Sequence, residues 1–352
     1  MTETVRPTPE AIRQARADNP KMRERDLAQQ LGISEAGLIA AHCGINVVHI
    51  SPRIETFLTK IESLGEVLAL TRNESAVHEK IGVYDKPVVG KHASMLLGAQ
   101  IDMRLFPTSW AHGFAVEKED GDTVRRSLQF FDAAGEAVHK IHLRPASNLQ
   151  AYNALVAKLR LDDQSQMLEL ALLPKPEEKT LEIGELDASG LRDRWTQMKD
   201  VHEFFAILRS LKMTRHQAVQ VIGQDYAWQL DSGALAAMMH HCAQEHIPIM
   251  CFVGNRGCIQ IHSGPVQSVK AMGPWINILD ETFHLHLRTD HIAEVWAVRK
   301  PTKDGHVTSL EAYGSEGEMI IQFFGKRHEG AGERSDWRQL IEGLPRLMRA
   351  AA

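Results

Sequence analysis

The sequence is poor in cysteine and has no long apolar run. Its four cysteines, Cys43, Cys242, Cys251 and Cys258, show no C-x-x-C spacing, and they are typical of reduced core residues rather than of a disulfide framework. This usage indicates a cytoplasmic protein. No segment approaches the roughly 18 apolar residues of a membrane span, so no stable membrane insertion is expected. The N-terminus lacks a basic start followed by an apolar core, and no secretory signal is expected.

The charge balance lacks the basic excess of a dedicated nucleic-acid binder. Lys and Arg number 40 against 45 Asp and Glu, which gives a net charge of −5. Nucleic-acid affinity depends largely on Lys and Arg meeting phosphate, so this class is disfavoured. Apolar residues make up 43% and charged residues 24%, the composition of a globular chain that can bury a sizeable core. Histidine, in contrast, is abundant, with 18 residues.

The chain carries an internal repeat at one constant separation. Asn73 matches Asn255, and the separation between these two residues is called the repeat offset below. Gly82 matches Gly264 at the same offset. The run I-D-M-R-L at 101–105 also matches the run F-H-L-H-L at 283–287 at this offset, without a gap. A constant offset over so long a stretch indicates one domain written twice, and not an array of many short repeats.

Each copy begins with residues at helical spacing, over 8–40 and 191–246, and continues into alternating runs typical of half-buried antiparallel strands. The sequence therefore predicts an α+β fold, a tandem structural duplication in which each half is an antiparallel β-sheet with flanking helices. We expect an N-terminal repeat at 1–172, a linker at 173–190 and a C-terminal repeat at 191–352. The predicted strands are Val67–Leu70, His78–Val83, Ile101–Phe106, Gly113–Lys118, Arg126–Asp132, Val138–Leu143, Met250–Val253, Cys258–His262, Phe283–Arg288, Val295–Arg299, Thr308–Tyr313 and Met319–Phe324.

Residues 23–41 have the spacing of a helix-turn-helix. A DNA-reading second helix should offer Arg, Lys, Asn or Gln to base edges. Here the second helix reads S-E-A-G-L-I-A-A, with almost no donors. The pattern favours a packed helical hairpin over DNA binding.

The histidines offer a second candidate site. A zinc site needs three or four converging ligands at recognisable spacing, and the sequence supplies none, which favours structural roles. His202 lies at the edge of an apolar helical stripe, where an imidazole can stay neutral and bind iron, but the spacing alone favours a core or boundary histidine. The other histidines in this group are His240, His241, His246, His262, His284 and His286.

Four basic residues, Arg104, Arg215, Lys300 and Arg327, lie within or beside apolar patterns. Such residues either face solvent or clamp an anionic ligand, for which Arg is well shaped. The pattern alone favours side chains that face solvent.

From about residue 10 to residue 345, the chain resembles the bacterial cytoplasmic haem-processing proteins of the HemS/ChuS/PhuS/HmuS type. Long ungapped runs in both halves carry the resemblance: RNESAVHEKIG, IDMRLF, MKDVHEFF, TRHQA, PIMCFVGNRGCIQIHSG, WINILDETFHLHLR, VRKPTKDGHVTSLE and FFGKR.

The resemblance implies a set of site residues for haem b, bound as ligand or substrate between the two halves. His202 matches the proximal iron ligand and Arg104 matches the distal arginine, which is also the candidate catalytic residue. His78 matches a second haem contact of some relatives. The implied propionate, rim and pocket contacts are Arg215, Met250, Phe252, Lys300, Phe324 and Arg327.

Two departures from the family pattern stand close to this set. Phe324 replaces a Tyr of some relatives, which removes one hydroxyl near the haem. His216 replaces a Gln of several relatives and offers a second imidazole as an alternative ligand or proton donor.

The resemblance implies haem uptake and iron utilisation, with two alternatives for the reaction. In the first, the protein degrades haem oxidatively to release iron, with electrons from a cellular reductant. In the second, it is a non-catalytic carrier that receives haem on the cytoplasmic side of an importer and delivers it to a separate haem oxygenase. The binding residues do not separate the two.

Overall fold

The computed structural model describes residues 6–171, 183–327 and 330–347. Helices and strands are both abundant, as expected for an α+β protein. The α-helices are α1 (Pro9–Asp18), α2 (Glu24–Gln30), α3 (Glu35–Ala40), α4 (Ile54–Leu58), α5 (Leu149–Leu159), α6 (Ala188–Thr196), α7 (Glu203–Leu211), α8 (Arg215–Val221), α9 (Ala234–Gln244) and α10 (Ser335–Gly343). Short 3₁₀ segments lie at Ile61–Leu64, Pro107–Ser109, Ile183–Glu185 and Thr289–His291.

The strands of the first half are β1 (Val47–Ile50), β2 (Val67–Arg72), β3 (Ala76–Gly82), β4 (Pro87–Val88), β5 (Ser94–Leu97), β6 (Asp102–Leu105), β7 (His112–Asp120), β8 (Thr123–Phe131) and β9 (Ala137–Leu143). Those of the second half are β10 (Ala227–Leu230), β11 (Ile249–Gly254), β12 (Cys258–Gly264), β13 (Val269–Met272), β14 (Trp275–Leu279), β15 (Phe283–Arg288), β16 (Glu294–Thr302), β17 (Gly305–Tyr313) and β18 (Met319–Gly325).

The strands form two nine-stranded sheets, with the orders β1-β7-β8-β9-β2-β3-β15-β14-β13 and β10-β16-β17-β18-β11-β12-β6-β5-β4. Each strand of one order has its repeat equivalent at the same place in the other. Both β-hairpins also carry a register shift at the same place, between Phe130 and Phe131 and between Ala312 and Tyr313. The predicted α+β fold with tandem duplication is confirmed.

All the predicted strands are present, with ends that differ by a few residues. The helical prediction over 191–246 is wrong at Ala227–Leu230, which forms β10 and pairs antiparallel with β16. This strand buries three of its four residues, so its packing outweighs the local helical spacing. Residues 173–182 of the predicted linker lie outside the described residues, and the predicted domain boundaries stay a prediction.

Each compact unit contains a short segment from the other half of the sequence. The first unit includes Gly254–Gln260 and the second includes Asn73–His78. Within the first unit, Asn255 Nδ2 donates to Val138 O at 2.8 Å. Within the second, Asn73 Nδ2 donates to Ile320 O at 2.8 Å. Both pairs of residues are equivalent at the repeat offset, so the exchanged segments are held in the same way.

The second helix of the predicted helix-turn-helix, α3, lies in the protein interior. All six residues of α3 are buried, and Ser34 caps its first turn by accepting from Gly37 N at 3.0 Å. The hairpin turn between β8 and β9 closes over this cap, because Gly135 has φ +83° and its carbonyl accepts from Ala36 N at 3.1 Å. The packing interpretation is confirmed, since a buried helix has no side chains to place in a DNA groove.

The cysteines fit the sequence prediction, because all four are buried and unpaired. Within the described ranges, no helix has the length and apolar character needed to cross a membrane.

Candidate functional site

His202 lies at the start of α7, at the N-cap position, with 88% of its side chain exposed. The carboxylate of Asp200 accepts from the His202 backbone N at 2.8 Å and from ring Nδ1 at 2.7 Å. Because the carboxylate can only accept, Nδ1 carries the proton of the neutral ring and Nε2 keeps its lone pair. Metal-binding histidines are commonly oriented in this way, so the pair presents Nε2 as a donor to an incoming metal centre.

The charge of Asp200 is stabilised from several directions. The backbone N–H and the ring of His202 lower the pKa of Asp200 below its usual value, and the positive charge of Arg327 acts in the same direction. The carboxylate therefore stays ionised and keeps the His202 ring oriented. Arg327 therefore lies in the electrostatic surroundings of the Asp200–His202 pair.

Glu311 on β17 organises the cations of the second unit. Its side chain is completely buried and accepts from Arg215 Nε at 3.0 Å, from Arg215 Nη2 at 2.8 Å and from Lys300 Nζ at 3.1 Å. The neutral donors to the same carboxylate are Ser309 Oγ at 2.7 Å, Tyr313 OH at 2.5 Å and Gln322 Nε2 at 2.9 Å. A buried charge requires such compensation, and here two cations outnumber one anion.

Burial and charge act in opposite directions in this cluster. Burial alone raises the pKa of Glu311, but the charges of Arg215 and Lys300 hold it well below its ordinary value. Burial lowers the pKa of Lys300 to about 8, although the carboxylate of Glu311 opposes that change. At neutral pH the cluster therefore carries one net positive charge.

Arg215 is placed by local sequence. It is the first residue of α8, directly after Thr214, which forms a capping box with Gln217. Its guanidinium lies 5.2 Å from the ring centre of Phe204 on α7, and Lys300 Nζ lies 4.7 Å from the same ring. Phe204 is two residues beyond His202, so this ring links the His202 helix to the two cations.

Apolar residues of the predicted site share a face of the second sheet with this cluster. Phe324 lies opposite Met250 on β11 and opposite Ser309 on β17. The rings of Phe252 and Phe324 are 5.1 Å apart in an edge-on arrangement. A half-buried aromatic and thioether surface therefore adjoins the polar donors of Glu311.

Arg104 stands on β6 in the first unit. Its guanidinium pairs with Asp102 on the same strand and donates to Met103 O at 3.1 Å. One third of its side chain is exposed. Arg retains free donors in this arrangement because its guanidinium carries five N–H groups.

Two other predicted histidines are deeper than their sequence positions indicate. His78 is completely buried, with its ring 4.9 Å from that of Phe283. His216 Nε2 bonds Glu294 Oε2 at 2.9 Å, so that nitrogen is already in use. Structural roles also hold for His262, which stacks on Phe283 at 3.8 Å, and for His286, whose Nδ1 bonds Asn277 Oδ1 at 2.7 Å.

Sequence reasoning missed Asp200 and Glu311. The signal for Asp200 is its place two residues before a histidine at a helix start, where a carboxylate commonly bonds local N–H groups. The signal for Glu311 is the alternation in S-L-E-A-Y, which places Ser309, Glu311 and Tyr313 on one strand face.

Comparison with known proteins follows the same division into repeats. The family model described as the haemin-degrading HemS.ChuX domain matches the chain twice, over residues 32–159 and 212–344. The hemin transport protein HmuS of Yersinia pestis is 39% identical over 333 residues, which cover 94% of this chain and 95% of that protein.

Two solved structures are similar over nearly the whole chain. The haem-binding protein PhuS of Pseudomonas aeruginosa, in its holo form, is 42% identical with a TM-score of 0.93, covering 96% of this chain and 98% of that chain. The haem-degrading enzyme ChuS of Escherichia coli O157:H7 is 36% identical with a TM-score of 0.87, covering 94% and 97%. Identity and coverage at this level extend to both repeats, and the chain belongs to the HemS/ChuX family.

Proposed function

We propose that this protein binds one haem at the candidate site, with His202 as the axial ligand of the iron, and that it serves haem uptake and the use of its iron. The observation that carries the proposal is the Asp200–His202 pair. It holds an exposed imidazole with Nδ1 protonated and leaves Nε2 as the donor, which is the arrangement a haem ligand needs.

The donor set around His202 fits the chemistry of haem b, a flat apolar ring with two carboxylates. Phe252, Phe324 and Met250 would supply the apolar contact. Arg215 and Lys300 would supply charge to the propionates, since each has N–H donors beyond those bonded to Glu311. The rim set also includes Arg327.

We further propose that the protein degrades haem oxidatively and that Arg104 is the distal catalytic group. Bound haem supplies the redox-active iron for ring opening with O₂ and electrons from a cellular reductant. Arg104 is a permanent cation with free N–H donors, so it can stabilise negative charge on an oxygen ligand. The relative ChuS, described as a haem-degrading enzyme, supports this reading.

A carrier is the second candidate function. The relative HmuS is described as a hemin transport protein, and PhuS is described as haem-binding. A carrier would take haem from an importer and pass it to a separate haem oxygenase. We place either activity in the cytoplasm, in keeping with four cysteines that are all unpaired.

Haem titration of single variants tests the binding proposal. His202→Ala should weaken haem binding at least tenfold and change the Soret maximum, because the axial donor is lost. His78→Ala should change affinity far less, because that ring is buried against Phe283. Equal effects of the two substitutions, in proteins of equal circular dichroism, would contradict the assignment of His202.

A turnover assay separates enzyme from carrier. The protein loaded with ferric haem receives ascorbate and catalase in air, and the Soret band is followed. Loss of the band with an open-chain tetrapyrrole or free iron supports the enzyme, and Arg104→Ala should slow that loss at unchanged haem affinity. A ferrous spectrum that persists, or decay that catalase abolishes, supports the carrier.

A further inference from the structure

The first unit contains an open cavity of about 490 Å³ between the edge strand β1, strand β7 and helix α5. Much of its wall is apolar, with Val48 on β1, Ala115 on β7 and Val156 on α5. The volume is within the range of small-molecule sites, roughly 300–1,000 Å³. None of the haem contacts proposed above is among the residues that line it.

The loop before β1 forms one wall of this cavity and is held by hydrogen bonds. Asn46 Nδ2 donates to Glu117 O at 2.8 Å, and Glu117 N donates to Asn46 O at 2.9 Å. The wall is therefore in place without a ligand. Ile45 of the same loop lines the cavity and is 65% exposed, so a ligand in the cavity can cover apolar surface that now faces water.

The second repeat has an indole ring at the equivalent place. Val48 lies opposite Ala115 in the pairing of β1 with β7, and Trp228 lies opposite Ala297 in the pairing of β10 with β16. Ala115 and Ala297 match at the repeat offset, so Val48 and Trp228 are equivalent. Trp228 is buried. The first repeat therefore has a valine and a cavity where the second has a buried ring.

An arginine that covers this ring in the second repeat is kept in the first. The guanidinium groups of Arg299 and Arg346 lie over the Trp228 ring, at 5.2 and 5.1 Å from its centre. Arg346 is equivalent to Arg160, because each forms an isolated bridge with the last residue of its edge strand. Arg160 lines the cavity, and no ion pair of its guanidinium is found in the part of the chain that the structure describes. It is thus available to lie over a ring in the cavity.

The other arginine is replaced by an acid. Glu117 stands at the repeat offset from Arg299 and lines the cavity. Its Oε1 accepts from Arg126 Nε at 2.8 Å, which leaves Oε2 with lone pairs for another donor. At this edge of the cavity the first repeat therefore offers an acceptor where the second offers a donor.

Tyr152 on α5 supplies a donor near that acceptor. Its side chain lines the cavity and is 2% exposed, and its hydroxyl has no hydrogen-bond partner within the described residues. Burial raises the pKa of this hydroxyl and the charge of Glu117 acts in the same direction, so the group stays protonated. A buried hydroxyl without a partner lowers stability, and a ligand oxygen would supply the missing acceptor.

We propose that this cavity binds a neutral, planar heteroaromatic lactam of about the size of an indole. The ring takes the place that Trp228 fills in the second repeat and lies under the guanidinium of Arg160. The lactam carbonyl accepts from Tyr152, and the lactam N–H donates to Glu117. A lactam carries these two groups side by side on one ring edge. An anionic ligand would meet the charge of Glu117, and a cationic one would meet the charge of Arg160.

The probe for the test is 2-quinolone, a planar bicyclic lactam close to indole in size. Calorimetry with the full-length protein should show one equivalent bound. N-methyl-2-quinolone keeps the ring and the carbonyl but lacks the N–H, so it should bind about tenfold more weakly. Quinoline lacks both lactam groups and should bind more weakly again.

Two variants locate the probe. Tyr152→Phe removes only the hydroxyl, so the affinity for 2-quinolone should fall about tenfold while the folded state is not destabilised. Val48→Trp introduces the residue of the second repeat and should abolish binding by filling the cavity. Val89→Trp adds the same ring at a half-exposed valine elsewhere in the first unit and is the matched control, which should bind like wild type.

Each contrary result overturns a defined part of the proposal. No binding of 2-quinolone at millimolar concentration overturns the site. Equal binding of 2-quinolone and N-methyl-2-quinolone overturns the lactam as the ligand class. Unchanged binding in a folded Val48→Trp places the probe elsewhere and overturns the cavity, and Tyr152→Phe decides the same question if Val48→Trp is unstable. Haem titration tests the proposed function separately, because its residues do not line this cavity.

Discussion

Glu311 on β17 and Gln129 on β8 occupy equivalent positions, and they place the neighbouring lysines differently. The carboxylate of Glu311 holds Lys300 in the interior, whereas the uncharged amide of Gln129 leaves Lys118 near the surface. Lys300 is 5% exposed and bonds Glu311, whereas its equivalent Lys118 is 50% exposed. The buried acid of the first unit lies instead on Glu35, at the start of α3, where it bonds Lys140 and Arg72. Each repeat thus buries one acid between two cations, but the acid lies on a strand in the second repeat and on a helix in the first.

The first prediction concerns Glu311→Gln. The substitution leaves Arg215 and Lys300 buried without a counter-charge, and breaking a buried ion pair costs about 3–5 kcal/mol. Urea unfolding should show a fall in the free energy of unfolding of that size. Glu342→Gln is the control, because Glu342 is an exposed partner of Arg299 and its loss should cost less than about 1 kcal/mol. Equal effects would contradict a central role for Glu311.

The second prediction concerns Asp200→Asn. The amide no longer enforces a protonated Nδ1 on His202, so the iron ligand loses both orientation and basicity. Removal of such a supporting group typically reduces metal affinity about 10–100-fold. Haem titration should show this loss with unchanged unfolding. Asp193→Asn, an exposed substitution on the neighbouring helix α6, should bind haem like wild type. A loss confined to stability would mean that Asp200 only caps the helix.

The third prediction concerns acid stability. Burial lowers the pKa of His142 from 6.5 to about 4. The positive charges of Lys140 and Arg125 act in the same direction, and the negative charge of Glu24 opposes them. Between these values the unfolded chain binds a proton that the folded chain does not. The contribution of the neutral His142 ring to the free energy of unfolding is therefore fully present above pH 6.5 and is lost as the pH falls towards 4.

In His142→Gln, the unfolded chain no longer takes up this extra proton relative to the folded chain. The slope of unfolding free energy against pH between 6 and 4.5 should become less steep by about 1.4 kcal/mol per pH unit. Urea unfolding at several pH values measures it. Identical slopes would show that His142 does not titrate with unfolding.

The fourth prediction compares two glycines with positive φ. Gly135 has φ +83° and a Cβ there would overlap Ser34 Oγ, which caps α3. Gly121 has φ +60° with no atom within 4 Å of the same point. Gly121→Ala should cost about 1–2 kcal/mol for the left-handed backbone alone, and Gly135→Ala should cost at least about 1 kcal/mol more for the overlap. Thermal unfolding checks the difference. Equal losses of stability in the two variants would mean that Ser34 can move away from the added Cβ without cost.

The sequence predicted the central strands well because they alternate or bury fully, as in Phe283–Arg288. It missed β1, β4, β5, β10, β13 and β14, which stand at the ends of the two sheet orders. Three of the four residues of β13 are exposed, and both residues of β4 are. Such strands are fixed by their neighbours rather than by a pattern of their own.

Site prediction depended on resemblance for His202, because one exposed histidine has no periodicity. Asp200 and Glu311 act through hydrogen bonds that no spacing rule contains. The repeat offset pairs His142 with Phe324, but the pairing alone does not show that His142 lines a separate cavity in the first unit.

The exchanged segments have a consequence for synthesis on the ribosome. The first unit needs Gly254–Gln260, in which Asn255 bonds Arg72 O and Val138 O, and Gln260 bonds Ala69 O. Those residues are translated long after the rest of the unit. The nascent first half therefore leaves these buried carbonyl groups without their partners until about three quarters of the chain has emerged, and only then can its folding become cooperative and complete.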